Sequence, residues 1–119
     1  MKLHDFIVTL TSLKKEDCTA LRYYFDRNPD YHIRNDNTVQ QFTEMNLNVF
    51  NYELSVFFAK KIKKLVERYH DQTPMGDRFF PAQYGLEEFR IKRYNEDVDH
   101  FGQHVDVGDL NSSRRFLAF

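Results

Sequence analysis

Residues Phe101-Gly102-Gln103-His104-Val105-Asp106-Val107 decide how this chain is read. The segment alternates well enough for a strand, and successive side chains of a strand point to opposite faces. His104 and Asp106 then share one face, and Val105 and Val107 share the other. An imidazole and a carboxylate two residues apart on one face can chelate a single cation. With a third His from elsewhere they make the two-His-one-carboxylate triad, which suits non-haem Fe(II) and leaves positions open. Alone, His-x-Asp also describes an ordinary surface ion pair, so the surrounding chain has to discriminate.

Outward from this segment, Glu87 to Tyr94 and Arg114 to Phe119 read as two further strands joined to it by polar loops. Phe116, Leu117, Ala118 and Phe119 are consecutive and apolar, which predicts a strand covered on both faces. Before Gly85 the pattern is more helical. Leu54, Phe57, Phe58, Ile62, Leu65, Val66 and Tyr69 recur with helical spacing and predict a helix over 52–70. Its Lys60, Lys61, Lys63, Lys64 and Arg68 form a solvated face rather than a nucleic-acid surface. Thr11 and Ser12 offer an N-cap for an earlier helix carrying Leu13, Cys18, Leu21 and Phe25, which stops near Asn28-Pro29. Residues 5–10 read as a short strand, 28–41 as a polar loop, Phe42 to Leu47 as a strand, and Gln72 to Asp77 as a turn.

Composition narrows the function classes. The 119 residues carry 17 Lys+Arg and 18 Asp+Glu, a net charge of -1, which argues against gripping nucleic acid or an anionic membrane by bulk charge. One cysteine, Cys18, cannot form an internal disulfide and points to a reducing, cytoplasmic setting. On its apolar helical face Cys18 reads as a small buried hydrophobe. No stretch approaches the roughly 18 apolar residues of a membrane span. The aromatic share is high, 16%, with 12 Phe, 7 Tyr and no Trp, so large rings must fill much of the core.

The stretch Tyr84-Gly-Leu-Glu-Glu-Phe-Arg-Ile-Lys-Arg-Tyr94-Asn95, followed by His104-Val-Asp106 and Arg114-Arg-Phe-Leu-Ala-Phe119, resembles the prolyl-4-hydroxylase-like branch of the Fe(II)/2-oxoglutarate dioxygenases. In that family a strand ending in Tyr leads through a loop to the strand that carries His-x-Asp. The N-terminal half, with Cys18 in its first helix and Phe42-Thr-Glu-Met-Asn-Leu47, is similar to the family's helical support region. The resemblance implies an α+β fold in which N-terminal helices support a partial double-stranded β-helix (jelly-roll) core. Residues 1–83 would be the support region with short strands, and 84–119 the first core strands. His104 and Asp106 would be two iron ligands, and Tyr94 would donate a hydrogen bond to 2-oxoglutarate. The implied activity uses O2 and releases succinate and CO2, with ascorbate as reductant. Its substrate would be a peptidyl group, proline at the family level, or a small molecule.

The family's distal His, its basic partner for 2-oxoglutarate and its Gly-Gly-Glu-Thr turn are not in the sequence. His4, His32 and His70 precede the core strands, and His100 lies just before the His-x-Asp segment. The simplest expectation is therefore the N-terminal part of a longer dioxygenase domain, holding iron weakly or not at all and inactive alone. A zinc-type cluster of His100, His104 and Asp106 is a competing reading, but it needs a helix where the pattern is strand-like. Arg90 or Lys92, on the parity of Tyr94, could approach an anion, against the plainer reading of an exposed strand edge. Arg114 and Arg115 read as solvated. The second function class is a non-catalytic jelly-roll remnant that holds a peptide or partner.

Overall fold

The computed structural model describes residues 1–118. Helix α1 (Lys15–Arg27) begins where the Asp17 carboxylate accepts the Lys14 backbone N–H at 3.1 Å, and Glu16 and Asp17 face the positive end of its dipole. Neither Thr11 nor Ser12 caps it. It stops at Asn28, which precedes Pro29 and sends its side-chain N–H to the Tyr24 carbonyl at 2.7 Å. α1 turns the stripe of Asp17, Leu21, Tyr24 and Phe25 inward. Cys18 falls about 100° round the helix from Asp17 and is exposed, not buried.

Residues 28–41 are not simply a loop. They hold a 3-10 turn (Pro29–Tyr31) and strand β1 (Ile33–Asp36), which pairs antiparallel with β2 (Gln40–Asn46) in the register Arg34 opposite Thr43 and Asn35 opposite Phe42. Asn37 makes the connection, its side-chain oxygen accepting the backbone N–H of Val39 at 2.9 Å and of Gln40 at 2.8 Å. Asn46 caps the short helix α2 (Leu47–Phe50), and Asn51 caps α3 (Tyr52–Gln72) by accepting the Leu54 N–H at 3.0 Å. A further short helix, α4 (Gly76–Phe79), replaces part of the expected turn.

β3 (Arg90–Arg93) and β4 (His100–Phe101) both pair antiparallel with the second edge of β2, one after the other. Thr43 faces Arg93 and Gln41 faces His100, so residues 94–99 bulge outward opposite the single residue Phe42. The result is a mixed helix and sheet fold with a small, open, four-stranded antiparallel sheet. Among the described residues a double-stranded β-helix is not seen.

One sheet face, carrying Thr43, Met45 and Ile91, packs on the helices. Phe25, Met45 and Leu47 form the core there, with Tyr24, Tyr31, Leu54, Phe58, Phe89 and Ile91 around them. α3 presents Lys60, Lys63, Lys64 and Arg68 to solvent, as its periodicity requires. No helix among the described residues is long and apolar enough to cross a membrane.

Three expected strands differ. Residues 3–6 form a 3-10 turn and 7–14 have no regular structure, although Tyr69 Oη donates to the Phe6 carbonyl at 2.9 Å and ties the segment to α3. The strand expected over Phe101 to Val107 ends at Phe101, just before Gly102. The strand expected from Arg114 is preceded by a 3-10 turn (Ser112–Arg114), and 115–118 are irregular. Phe119, the end of that expected strand, lies outside the described residues.

Candidate functional site

His104 and Asp106 come together, but not through strand alternation. His104 Nε2 lies 3.2 Å from Asp106 Oδ1, in an irregular segment that leaves the sheet after Gly102 donates its backbone N–H to the Val39 carbonyl at 2.7 Å. The other ring nitrogen fixes the imidazole. His104 Nδ1 is 2.9 Å from the Gly102 carbonyl oxygen, which can only accept, so Nδ1 carries the proton. The ring also stacks on Phe101, with centroids 4.0 Å apart and planes 19° apart.

That tautomer has a chemical consequence. A neutral imidazole with its proton on Nδ1 presents a lone pair at Nε2, and the Asp106 carboxylate presents lone pairs to it. A cation seated between Nε2 and the carboxylate would be held by both. Two ligands in adjacent positions of an octahedral first-row ion, each at about 2.1 Å, lie about 3.0 Å apart. The observed 3.2 Å is close to that separation. An Nδ1–H held by a backbone carbonyl is also the usual support of a metal-bound imidazole. The donor pair therefore fits a divalent ion as two of its ligands. Among the described residues no third His, Cys, Asp or Glu completes a three-ligand group.

The remaining histidines are engaged elsewhere, His4 with its neighbour Asp5, Nε2 to Oδ1 at 3.2 Å. His100 Nε2 lies 3.3 Å from the Thr38 carbonyl, which separates it from the zinc-type cluster with His104 and Asp106. His32 sits on the Phe25 ring and meets the Phe25 carbonyl at 2.8 Å, and His70 Nε2 lies 3.3 Å from Asp77 Oδ1.

Tyr94 belongs to the same sheet face as His104's aromatic partner. Strand register places Phe42, Glu44, Lys92 and Phe101 together on the face away from the helices, and Tyr94, just past β3, joins them through its ring. Tyr94 packs on Phe42 at 5.3 Å, and Phe42 meets Phe101 edge-on at 5.8 Å. The rings thus run from Tyr94 through Phe42 and Phe101 to His104. Phe42 is 2% exposed although no further layer covers this face among the described residues, because Tyr94, Phe101 and Lys92 cover it. Burial, with the Glu44 and Asp99 carboxylates adding to it, pushes the Tyr94 phenol above its ordinary range, so its hydroxyl stays a hydrogen-bond donor at neutral pH.

Lys92 takes an unexpected place. Its ammonium sits 4.6 Å from the Phe42 centroid and 5.2 Å from that of Phe101, held by the ring faces. Its strand parity with Tyr94 was legible; the two rings beneath it come from β2 and β4, which no local pattern joins. Arg115 is not merely solvated either. Nε and Nη2 reach Glu87 Oε1 and Oε2 at 2.6 and 3.1 Å, and Nη1 donates to the Asp106 carbonyl. The guanidinium holds the Glu87 carboxyl below the usual carboxylate range. Arg90, the other basic residue of that parity, pairs with Glu88 at 2.8 Å.

Comparison of the chain with known protein families, with curated proteins and with solved structures finds no match.

Proposed function

We propose that this chain contributes to an Fe(II)- and 2-oxoglutarate-dependent oxygenase of the prolyl-4-hydroxylase-like kind, with His104 and Asp106 as two metal ligands and Tyr94 as a co-substrate contact. The observation that carries the reading is the His104–Asp106 pair, with Nδ1 committed to Gly102 and Nε2 free to face the carboxylate. The sequence resemblance around Tyr94 and His-x-Asp supplies the reaction class. Iron, when bound, would activate O2 for oxidation of an unactivated C–H bond while 2-oxoglutarate becomes succinate and CO2.

The chain's own residues do the preparatory work. Gly102 and Phe101 orient the imidazole, and Asp106 supplies the negative ligand. Tyr94 keeps its proton and can donate it in a hydrogen bond to an anionic co-substrate. A jelly-roll parent domain, ascorbate as reductant, a peptidyl or small-molecule substrate and a reducing cytoplasmic setting belong to the same proposal, supported by the resemblance and by the single cysteine.

The test uses the 119-residue chain. Anaerobic Fe(II) should bind weakly but measurably, and 2-oxoglutarate added afterwards should produce a charge-transfer absorption. Succinate formation by this chain alone should stay at background, because two ligands hold the ion loosely. Absence of both metal binding and the absorption change would refute the proposal.

A second reading has its own support: a non-catalytic module that uses the open sheet face to hold a partner. Lys92, seated on Phe42 and Phe101 beside the half-exposed Tyr94, offers a cation and flat apolar surface together. An anionic peptide that binds with unchanged affinity after His104→Ala, in a chain that takes up no metal, would favour it.

A further inference from the structure

We propose that Arg115 is the positioning residue of the His104–Asp106 pair, fixing the backbone at Asp106 by anchoring it to Glu87. The inference rests on the reading of His104 and Asp106 as a chelating pair and adds the group that holds the pair in place.

After Gly102 N–H meets the Val39 carbonyl, none of the described backbone N–H groups from 103 to 107 is hydrogen-bonded to the sheet. Asp106 would otherwise be carried by a free loop, and a free loop samples many separations between Nε2 and Oδ1. Arg115 removes that freedom from the far side. Its planar fork takes both Glu87 oxygens, at 2.6 and 3.1 Å, and turns its remaining amino group to the Asp106 carbonyl. A guanidinium can make these contacts simultaneously because its N–H vectors diverge in one plane; an ammonium cannot.

Both ends of the clamp are themselves held. Glu87 opens the segment leading into β3, whose Glu88 accepts from the Asn46 side chain at 2.8 Å and whose Phe89 N–H donates to the Asn48 side chain at 2.8 Å. Arg115 follows a turn closed by Asp109 and Ser112: the Asp109 carboxylate accepts the Ser112 backbone N–H and hydroxyl, both at 2.7 Å. The path from the sheet to Asp106 thus runs through Glu87 and Arg115. Arg114, the adjacent residue, makes none of these side-chain contacts.

The experiment uses the full chain and Co(II) as the probe, titrated by visible absorption, with a thermal melt of each variant. Arg115→Ala and Arg115→Lys should each weaken Co(II) binding about 10- to 100-fold, the range found when support of a metal ligand is lost. Arg114→Ala should bind within about twofold of the parent chain. A second readout needs no metal: the ring-nitrogen NMR resonances of His104 should move in Arg115→Ala and stay in Arg114→Ala. If Arg115→Ala does not fold, Glu87→Gln loosens the same clamp from its other end and is read in the same way. Unchanged His104 ring resonances in the clamp variant overturn the inference whatever the metal does. Undiminished Co(II) binding in His104→Ala instead overturns the chelating-pair reading, and the ring-nitrogen comparison then still decides whether Arg115 positions His104.

Discussion

Arg34 Nη2 of β1 lies 2.7 Å from Asp99 Oδ1, and the Asp99 side chain is wholly covered. The pair spans the sheet: Arg34 shares a face with Thr43 and reaches across β2 to the outward bulge of residues 94–99. The other Asp99 oxygen accepts the Asn95 backbone N–H at 2.7 Å, closing the bulge whose first residue is Tyr94. Asp99 is therefore what returns the chain to β2 after Tyr94, and its charge should be visible in the pH dependence of stability.

The side-chain bond to Arg34, then the Asn95 N–H, holds the Asp99 carboxyl below its ordinary range. A carboxyl whose folded value is depressed contributes stability that is fully present above its unfolded value, about pH 3.9, and is lost as pH falls through the folded value. Asp99→Asn should lower the melting temperature at pH 7, and the gap to the parent chain should narrow as pH is taken below about 4. A gap that is constant over that range would mean the charge contributes nothing.

Met45 is fully buried at the centre of the sheet, between α1 and the cap of α2. Met45→Ala should cost about 2–5 kcal/mol through lost transfer energy and the cavity left behind. Urea denaturation, with the midpoint lowered and the slope unchanged, is the measurement that checks it.

Asn51 caps the longest helix, α3, through a single side-chain acceptor. Asn51→Ala should cost about 1 kcal/mol and Asn51→Asp or Asn51→Ser much less, since each keeps an oxygen for the Leu54 N–H. Equal losses for all three would show that the side chain matters for something other than the cap.

Tyr94 separates packing from chemistry. Tyr94→Phe keeps the ring on Phe42 and should change stability by less than about 0.5 kcal/mol, because the hydroxyl makes no hydrogen bond among the described residues. The same variant should weaken 2-oxoglutarate on the metal-loaded chain about tenfold, the worth of one hydrogen bond. Tyr94→Ala, by contrast, uncovers Phe42 and should cost about 1 kcal/mol of stability.

Helical periodicity located α1 and α3, because each buries one continuous side; β2 was located too, although it buries Phe42 on one face and Thr43 and Met45 on the other. β1 carried no such signal: Arg34 and Asp36 are exposed, and its pairing depends on the Asn37 turn, whose polar residues read as plain loop. The apolar run at 5–10 misled for the opposite reason, since Phe6 is tied to Tyr69 of α3 and not to a neighbouring strand. At the site, His104 and Asp106 were legible as a pair, but their geometry comes from Gly102 and Phe101 rather than from strand parity. Any residue at 102 supplies a carbonyl, so that part of the site leaves no mark on the sequence. The hold of Arg115 on Glu87 links residues far apart in the chain and is equally silent locally.

The claim that His104 and Asp106 hold one metal ion is tested most directly by anaerobic Fe(II) titration of the parent chain, His104→Ala and Asp106→Ala. Binding to the parent chain that is lost in both variants, with folding intact by circular dichroism, is the predicted result. Fe(II) affinity in either variant equal to that of the parent chain would contradict it.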